Sequence, residues 1–164
     1  MRTLGAEIEA EDSVVATFTY GNGAIGNLEV TTAARPDDFE ASLSIVGSKG
    51  LAQIGGIAVN ELQVFTPDPS ACSENSEDFG FSVYGNGHEK MYRDIVAART
   101  GAGSYPVTYS DCLNTLKLLH GFYRSDEAGN WVDIDSTEES TRLGRSNDAL
   151  SDIYRIQKPA GQTR

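Results

Sequence analysis

The chain has few basic residues, few cysteines and histidines, and no long apolar run, and each shortage closes off a class of function. Across 164 residues, 13 Lys and Arg stand against 24 Asp and Glu, a net charge of −11. That balance opposes a broad electrostatic grip on nucleic acid or on an anionic membrane. No stretch approaches the roughly 18 apolar residues of a spanning helix, and residues 1–5 open no signal-peptide core. A soluble, cytoplasmic chain with no membrane partner is expected. Cys72 and Cys112 are the only cysteines and belong to no C-x-x-C pair. Two reduced thiols is the plainer reading, with a disulfide left open by sequence. His88 and His120 are equally isolated, so no zinc-ligand spacing can be assembled and no metal site is expected.

The residues that are present begin with a misleading motif. Gly21-Asn22-Gly23-Ala24-Ile25-Gly26 spells G-x-G-x-x-G, the pattern of a dinucleotide-binding turn, which works only between a strand and a helix. Here the following residues, Asn27-Leu28-Glu29-Val30-Thr31-Thr32, alternate and are β-branched, and Pro36 closes the run. The preceding residues 13–20 are strand-like as well. Two strands joined by Gly-Asn-Gly predict a β-hairpin, with Asn22 and Gly23 taking the positive φ angles of a tight primed turn. No cofactor-binding residue is assigned to this chain on that reading.

At this length, with 39% apolar residues, one domain with a sizeable core is expected. After the hairpin, residues 40–46, 51–54, 57–59 and 61–65 read as further short strands, spaced for antiparallel neighbours. Residues 66–80 read as a polar surface loop. His88 to Ala98 carries Met91, Tyr92, Ile95 and Val96 at helical spacing, and this helix is predicted to end near Gly101. Thr108 and Asp111 form a capping-box pattern for a second helix bearing Leu113, Leu116, Leu119, Phe122 and Tyr123, with Gly129 as terminator. Trp131-Val132-Asp133-Ile134 reads as a strand returning to the sheet. Beyond residue 135 the chain turns polar, with Leu150, Ile153, Tyr154 and Ile156 spaced for a short helix near 147–156.

Three groups of residues in this order, Glu11 to Phe18, Gly23 to Gly26 and Val46 to Gly50, resemble the sheet half of the C-terminal domain of the glucose–fructose oxidoreductase / inositol dehydrogenase (Gfo/Idh/MocA) family. Tyr92 to Ala98, Pro106-Val107-Thr108, and Phe122 to Ser125 leading to Trp131-Val132-Asp133-Ile134 are similar to its helical half. The resemblance spans about residues 10 to 135. It implies an α+β fold, with an open, mostly antiparallel mixed β-sheet and two main helices packed on one face. Residues 1–135 would form the domain, short at its N-terminal side, and residues 136–164 a polar extension without a family role. Family members join this domain to an N-terminal Rossmann domain that binds NAD or NADP, and most act on a sugar, cyclitol or nucleotide-sugar hydroxyl. Their catalytic lysine and histidine sit in Glu-Lys-Pro and Asp-x-x-x-His motifs, neither of which occurs in this sequence. The resemblance therefore carries over no catalytic residue, and the chain alone is expected to bind no cofactor and to be inactive. It implies a substrate-binding and assembly role: a homo-oligomer through the sheet face, a sugar-like ligand, and a Rossmann domain as partner. A stand-alone, non-catalytic binding module is the alternative.

Candidate substrate contacts are Tyr84, Asn86 and His88, just before the first helix, and Arg35, at a sheet end. Tyr, Asn and His can hydrogen-bond sugar hydroxyls, and the glycines at 85 and 87 let backbone approach a ligand. Capping of the helix is the plainer use of Asn86 or His88, and a solvated turn the plainer use of Arg35. His120 is expected as a packed helix-surface residue, Gly121 as a close-packing site, Trp131 as a core or interface aromatic, and Cys112 as a small buried residue. The acid pairs Glu11-Asp12, Asp37-Asp38, Asp126-Glu127 and Glu138-Glu139 raise a hydrolase reading. Each pair is adjacent in sequence and near an element end, and is expected as solvated surface, since glycosidase carboxylates face each other from different elements.

Overall fold

The computed structural model describes residues 10–34, 40–80 and 84–146. Five strands and three helices follow in order: β1 Ser13–Thr19, β2 Ile25–Thr31, β3 Leu43–Gly47, β4 Gly50–Gly55, β5 Glu61–Phe65, α1 Ala71–Glu74, α2 Gly87–Thr100 and α3 Tyr109–Ala128. The fold is α+β with open antiparallel sheets. The strands form two ladders, β1-β2 and β3-β4-β5. The chain divides into two compact units, one of Met1–Ala34 with Val107–Arg164 and the other of Arg35–Pro106.

In the first unit, β1 and β2 pair from Ser13↔Thr31 to Thr19↔Ile25. The connection is a hairpin, as its flanks predict, but of a different turn type. Gly23 N donates to Tyr20 O at 2.9 Å and Tyr20 N to Ala24 O at 2.9 Å, while Ala24 N donates to Asn22 Oδ1 at 3.0 Å. Gly23 has φ +85°, and Val59 is the one non-glycine with positive φ among the described residues, so Asn22 does not share it. The loop has three residues rather than two, and a three-residue loop needs a left-handed residue only at its last position. The third glycine of the motif serves packing. Gly26 lies opposite Phe18, whose ring occupies the space a Cβ at 26 would need. Phe18 also meets Phe122 of α3, ring centroids 6.1 Å apart, so the even-numbered face of β1 is the one toward α3.

α3 starts as the sequence predicts. The Thr108 side chain accepts from Asp111 N at 3.2 Å, and the Asp111 carboxylate accepts from Thr108 N at 2.8 Å, closing the capping box. It stops at Gly129, left-handed at φ 63°. Gly121 is buried, and a Cβ there would lie 3.2 Å from Ile134 Cγ1, so the residue without a side chain admits the chain returning after the helix. That chain, residues 131–134, is not a strand. It passes Gly121 of α3 instead of joining a ladder. Cys112 is exposed in the first helical turn, not buried, and Trp131 is 71% exposed.

In the second unit, β3 pairs with β4 from Leu43↔Ile54 to Gly47↔Gly50, and β4 with β5 with a register shift at Gln53/Ile54. Residues 57–59 form a turn rather than the expected strand. Gly56 (φ 90°) and Val59 (φ 57°) both leave the extended region, and Asn60 Oδ1 accepts from the preceding Ala58 N at 3.2 Å, which ties the turn to the start of β5. The loop after β5 contains α1, four residues long. α2 ends at Gly101, left-handed at φ 74°, whose N–H reaches back to the helix, as its sequence predicts. Among the described residues no apolar side chain is buried, and Tyr92 and Val96 of α2 and Leu116 of α3 are more than half exposed. The short helix expected near 147–156 lies outside the described residues.

Candidate functional site

Three of the four candidate contact residues come together in the second unit. Tyr84, Asn86 and His88 line the entry to α2, all exposed. Asn86 occupies the N-cap position but makes no side-chain cap bond. Its amide instead donates to Glu77 Oε1 at 2.6 Å. Glu77 is itself fixed: its backbone carbonyl accepts from Asn60 Nδ2 at 2.6 Å, and its N–H donates to Asn60 O at 2.9 Å. Ser76 Oγ accepts from Leu62 N at 3.0 Å. Residues 76–77 are thus tied to the start of β5, and through Glu77 they hold the α2 entry. Gly85, at φ 56°, lies where a Cβ would collide with the Phe79 ring. The loop therefore presents Tyr84 (78% exposed) and His88 from a pinned backbone, with the first N–H groups of α2 not capped by the Asn86 side chain. Arg35, the fourth candidate, lies outside the described residues.

In the first unit a groove of about 1030 Å³ runs between β1, α3 and residues 129–135. Phe18, Phe122 and Ile134 give it an apolar lining, with Lys117, Ser125 and Asp133 as polar groups. Lys117 Nζ lies 3.8 Å from Asp135 Oδ1, both well exposed. Among the described residues no group of three or more His, Cys, Asp or Glu is placed to hold a metal.

Beside this groove sits a charged cluster that the sequence does not disclose. Arg142 donates through Nη2 to Glu11 Oε1 at 2.5 Å and through Nη1 to Asp126 Oδ2 at 2.7 Å. Its guanidinium lies 5.9 Å from the centroid of the Tyr123 ring. Tyr123 Oη donates to Glu11 Oε2 at 3.0 Å. Burial raises Glu11, but the bonds from Arg142 and Tyr123 outweigh it and hold the carboxyl below its ordinary range. Asp126 is likewise pushed up by burial and brought net down by Arg142. Burial and the Glu11 carboxylate together push the Tyr123 phenol up to about 12. One of the acid pairs expected as solvated surface is therefore corrected: the Glu11 side chain is 5% exposed and Asp12 is buried, while Asp126 is part-buried beside an exposed Glu127. Both Glu11 and Asp126 are bound to an arginine, which suits them to structure rather than to acid–base chemistry. Sequence reasoning misses this cluster because Glu11 and Arg142 are 131 positions apart.

The sequence of residues 2–134 matches the family model of the C-terminal alpha/beta domain of an oxidoreductase family, Gfo/Idh/MocA. The chain belongs to that family. As a Gfo/Idh/MocA C-terminal domain it is similar to the WlbA dehydrogenase from Bordetella pertussis, solved in complex with NADH and UDP-GlcNAcA. The two share 32% identity at a TM-score of 0.62, over 77% of this chain and 39% of that one. The WlbA enzyme from Chromobacterium violaceum, also solved with NADH and UDP-GlcNAcA, is 30% identical at a TM-score of 0.61, over 77% of this chain and 36% of its own. This chain thus spans less than two fifths of the length of either dehydrogenase. No curated protein matches it significantly. No helix among the described residues is long and apolar enough to cross a membrane.

Proposed function

We propose that this Gfo/Idh/MocA domain is the substrate-side and assembly domain of an NAD(P)-dependent dehydrogenase acting on a nucleotide-linked sugar. The observation that carries this reading is the likeness, at 32% and 30% identity, to two dehydrogenases each holding NADH and UDP-GlcNAcA. The nicotinamide supplies hydride chemistry in such an enzyme, and its binding belongs to a Rossmann domain. This chain's own contribution is to bind and orient the sugar. Tyr84 and His88 offer hydroxyl and imidazole groups from a backbone pinned by Asn86–Glu77, a preorganised geometry suited to pyranose hydroxyls. The start of α2, which the Asn86 side chain does not cap, adds N–H donors and a positive dipole end for an anionic group of the ligand. Arg35 is a further candidate for that anion.

Assembly through the sheets is part of the same proposal. Ile45 and Val46 of β3 are more than half exposed, as are Val15 of β1 and Ile25 of β2. Apolar sheet surface of this kind favours covering by a second copy in a two-fold arrangement. The test of the ligand is a nuclear magnetic resonance titration of the chain with UDP-GlcNAcA and, separately, with NADH. The sugar nucleotide is expected to shift the amides of residues 84–88, and NADH to shift none specifically. A saturable NADH response centred on residues 21–26 would overturn the assignment of that loop as a plain hairpin. Shifts from UDP-GlcNAcA confined to other residues would overturn the site.

A further inference from the structure

We infer that residues 136–146 are a strap built into the domain, anchored by Arg142, and not a solvated tail. The matched family domain ends at residue 134, and the chain beyond it folds back on α3 through side chains that fit it. His120 Nδ1 accepts from Ser140 N at 3.0 Å. Glu127 Oε1 accepts from Ser140 Oγ at 2.6 Å and from Arg142 N at 3.0 Å. Arg124 pairs with Glu138, and Tyr123 lies under Arg142. His120, Tyr123, Arg124 and Glu127 are spaced i, i+3, i+4 and i+7, so they form one stripe along the helix. The stripe is polar, whereas the β1 side of α3 carries Phe122. α3 therefore has two working faces, one for the sheet and one for the strap.

The anchor explains what the strap joins. Arg142 reaches Glu11, just before β1, with one terminal nitrogen and Asp126 of α3 with the other, while its Nε is buried without a partner. A guanidinium spends its fork on two separate acids when bridging two elements matters more than a bidentate grip on one. Ser140 Oγ then turns the segment inward by accepting from Arg142 N and Leu143 N, each at 3.0 Å. The strap clamps the start of β1 to the C-terminal half of α3, the two walls of the 1030 Å³ groove. This holds whichever ligand the domain takes.

Hydrogen exchange of the full chain tests it, read at the amides of Ser140, Arg142 and Leu143. Their exchange should be slowed well below that of an unstructured peptide in the wild type. Arg142→Ala should speed it roughly tenfold or more, the loss of charge-assisted bonds, while amides of α2 keep their protection. If Arg142→Ala unfolds the chain, Arg142→Lys, which keeps the charge but cannot reach two acids in fork geometry, should show a smaller increase confined to the strap. Peptide-like exchange at the three amides in the wild type would overturn the proposal. So would unchanged protection in both variants.

Discussion

Arg142 bonds two acids, Glu11 and Asp126, that lie far from it in the sequence. Its two acids, Glu11 and Asp126, are both held below their ordinary range. A carboxyl whose folded-state value is depressed contributes stability above its unfolded value and loses it as pH falls through the folded one. Acid unfolding of the wild type is therefore expected to begin as these two carboxyls protonate. In Glu11→Gln that part of the pH dependence should be flattened and stability at neutral pH lowered, as followed by denaturant midpoints across the acid range. Val59 offers a prediction of opposite sign. It is β-branched, half exposed and left-handed at φ 57°, a conformation costing a non-glycine residue about 1–2 kcal/mol. Val59→Gly relieves that cost and gives back part of it in unfolded-state entropy. A net gain of roughly 0.5–1 kcal/mol is expected in urea unfolding. Local chemistry of this kind is partly legible: Asn60 marks a turn, but an apolar Ile57-Ala58-Val59 run masks it, because the pattern of side chains says strand while the asparagine bond decides the backbone.

Elements whose ends are fixed by near neighbours are the ones the sequence discloses. The Thr108–Asp111 box needs only four residues to form, and Thr108→Ala should cost about 1 kcal/mol of stability, measurable by chemical denaturation, since it orphans the Asp111 N–H. Gly23, Gly101 and Gly129 mark their turns for the same local reason. Elements that depend on distant partners are less legible. Trp131-Val132-Asp133-Ile134 has strand-forming residues but finds Gly121 as its neighbour, so a packing contact overrides propensity. Gly121→Val should accordingly destabilise by roughly 1–3 kcal/mol, because the added atoms meet Ile134, and thermal unfolding would register it. The polar stripe of His120, Tyr123, Arg124 and Glu127 is visible in the sequence only once its cover, residues 138–142, is known. Read alone it looks like an ordinary solvated helix face.

At the scale of the whole molecule, the sequence motifs place the chain in an oxidoreductase family while withholding its active site. Tyr84, Asn86 and His88 are exposed at the entry to α2, and Asn86 bonds Glu77 rather than capping the helix. Tyr84 and His88 stay exposed there, the pair proposed to meet the ligand. The apolar residues left exposed on β1, β2 and β3 are the surface that the proposed assembly would cover. Sedimentation should accordingly show concentration-dependent association, and Val46→Glu should weaken it without unfolding the chain. The most direct test of the account is the titration of the chain with UDP-GlcNAcA, followed at the amides of residues 84–88 and repeated with Tyr84→Ala/His88→Ala. Saturable shifts at that loop, weakened in the double variant, are predicted; an unresponsive loop, or a response untouched by removing both side chains, would contradict it.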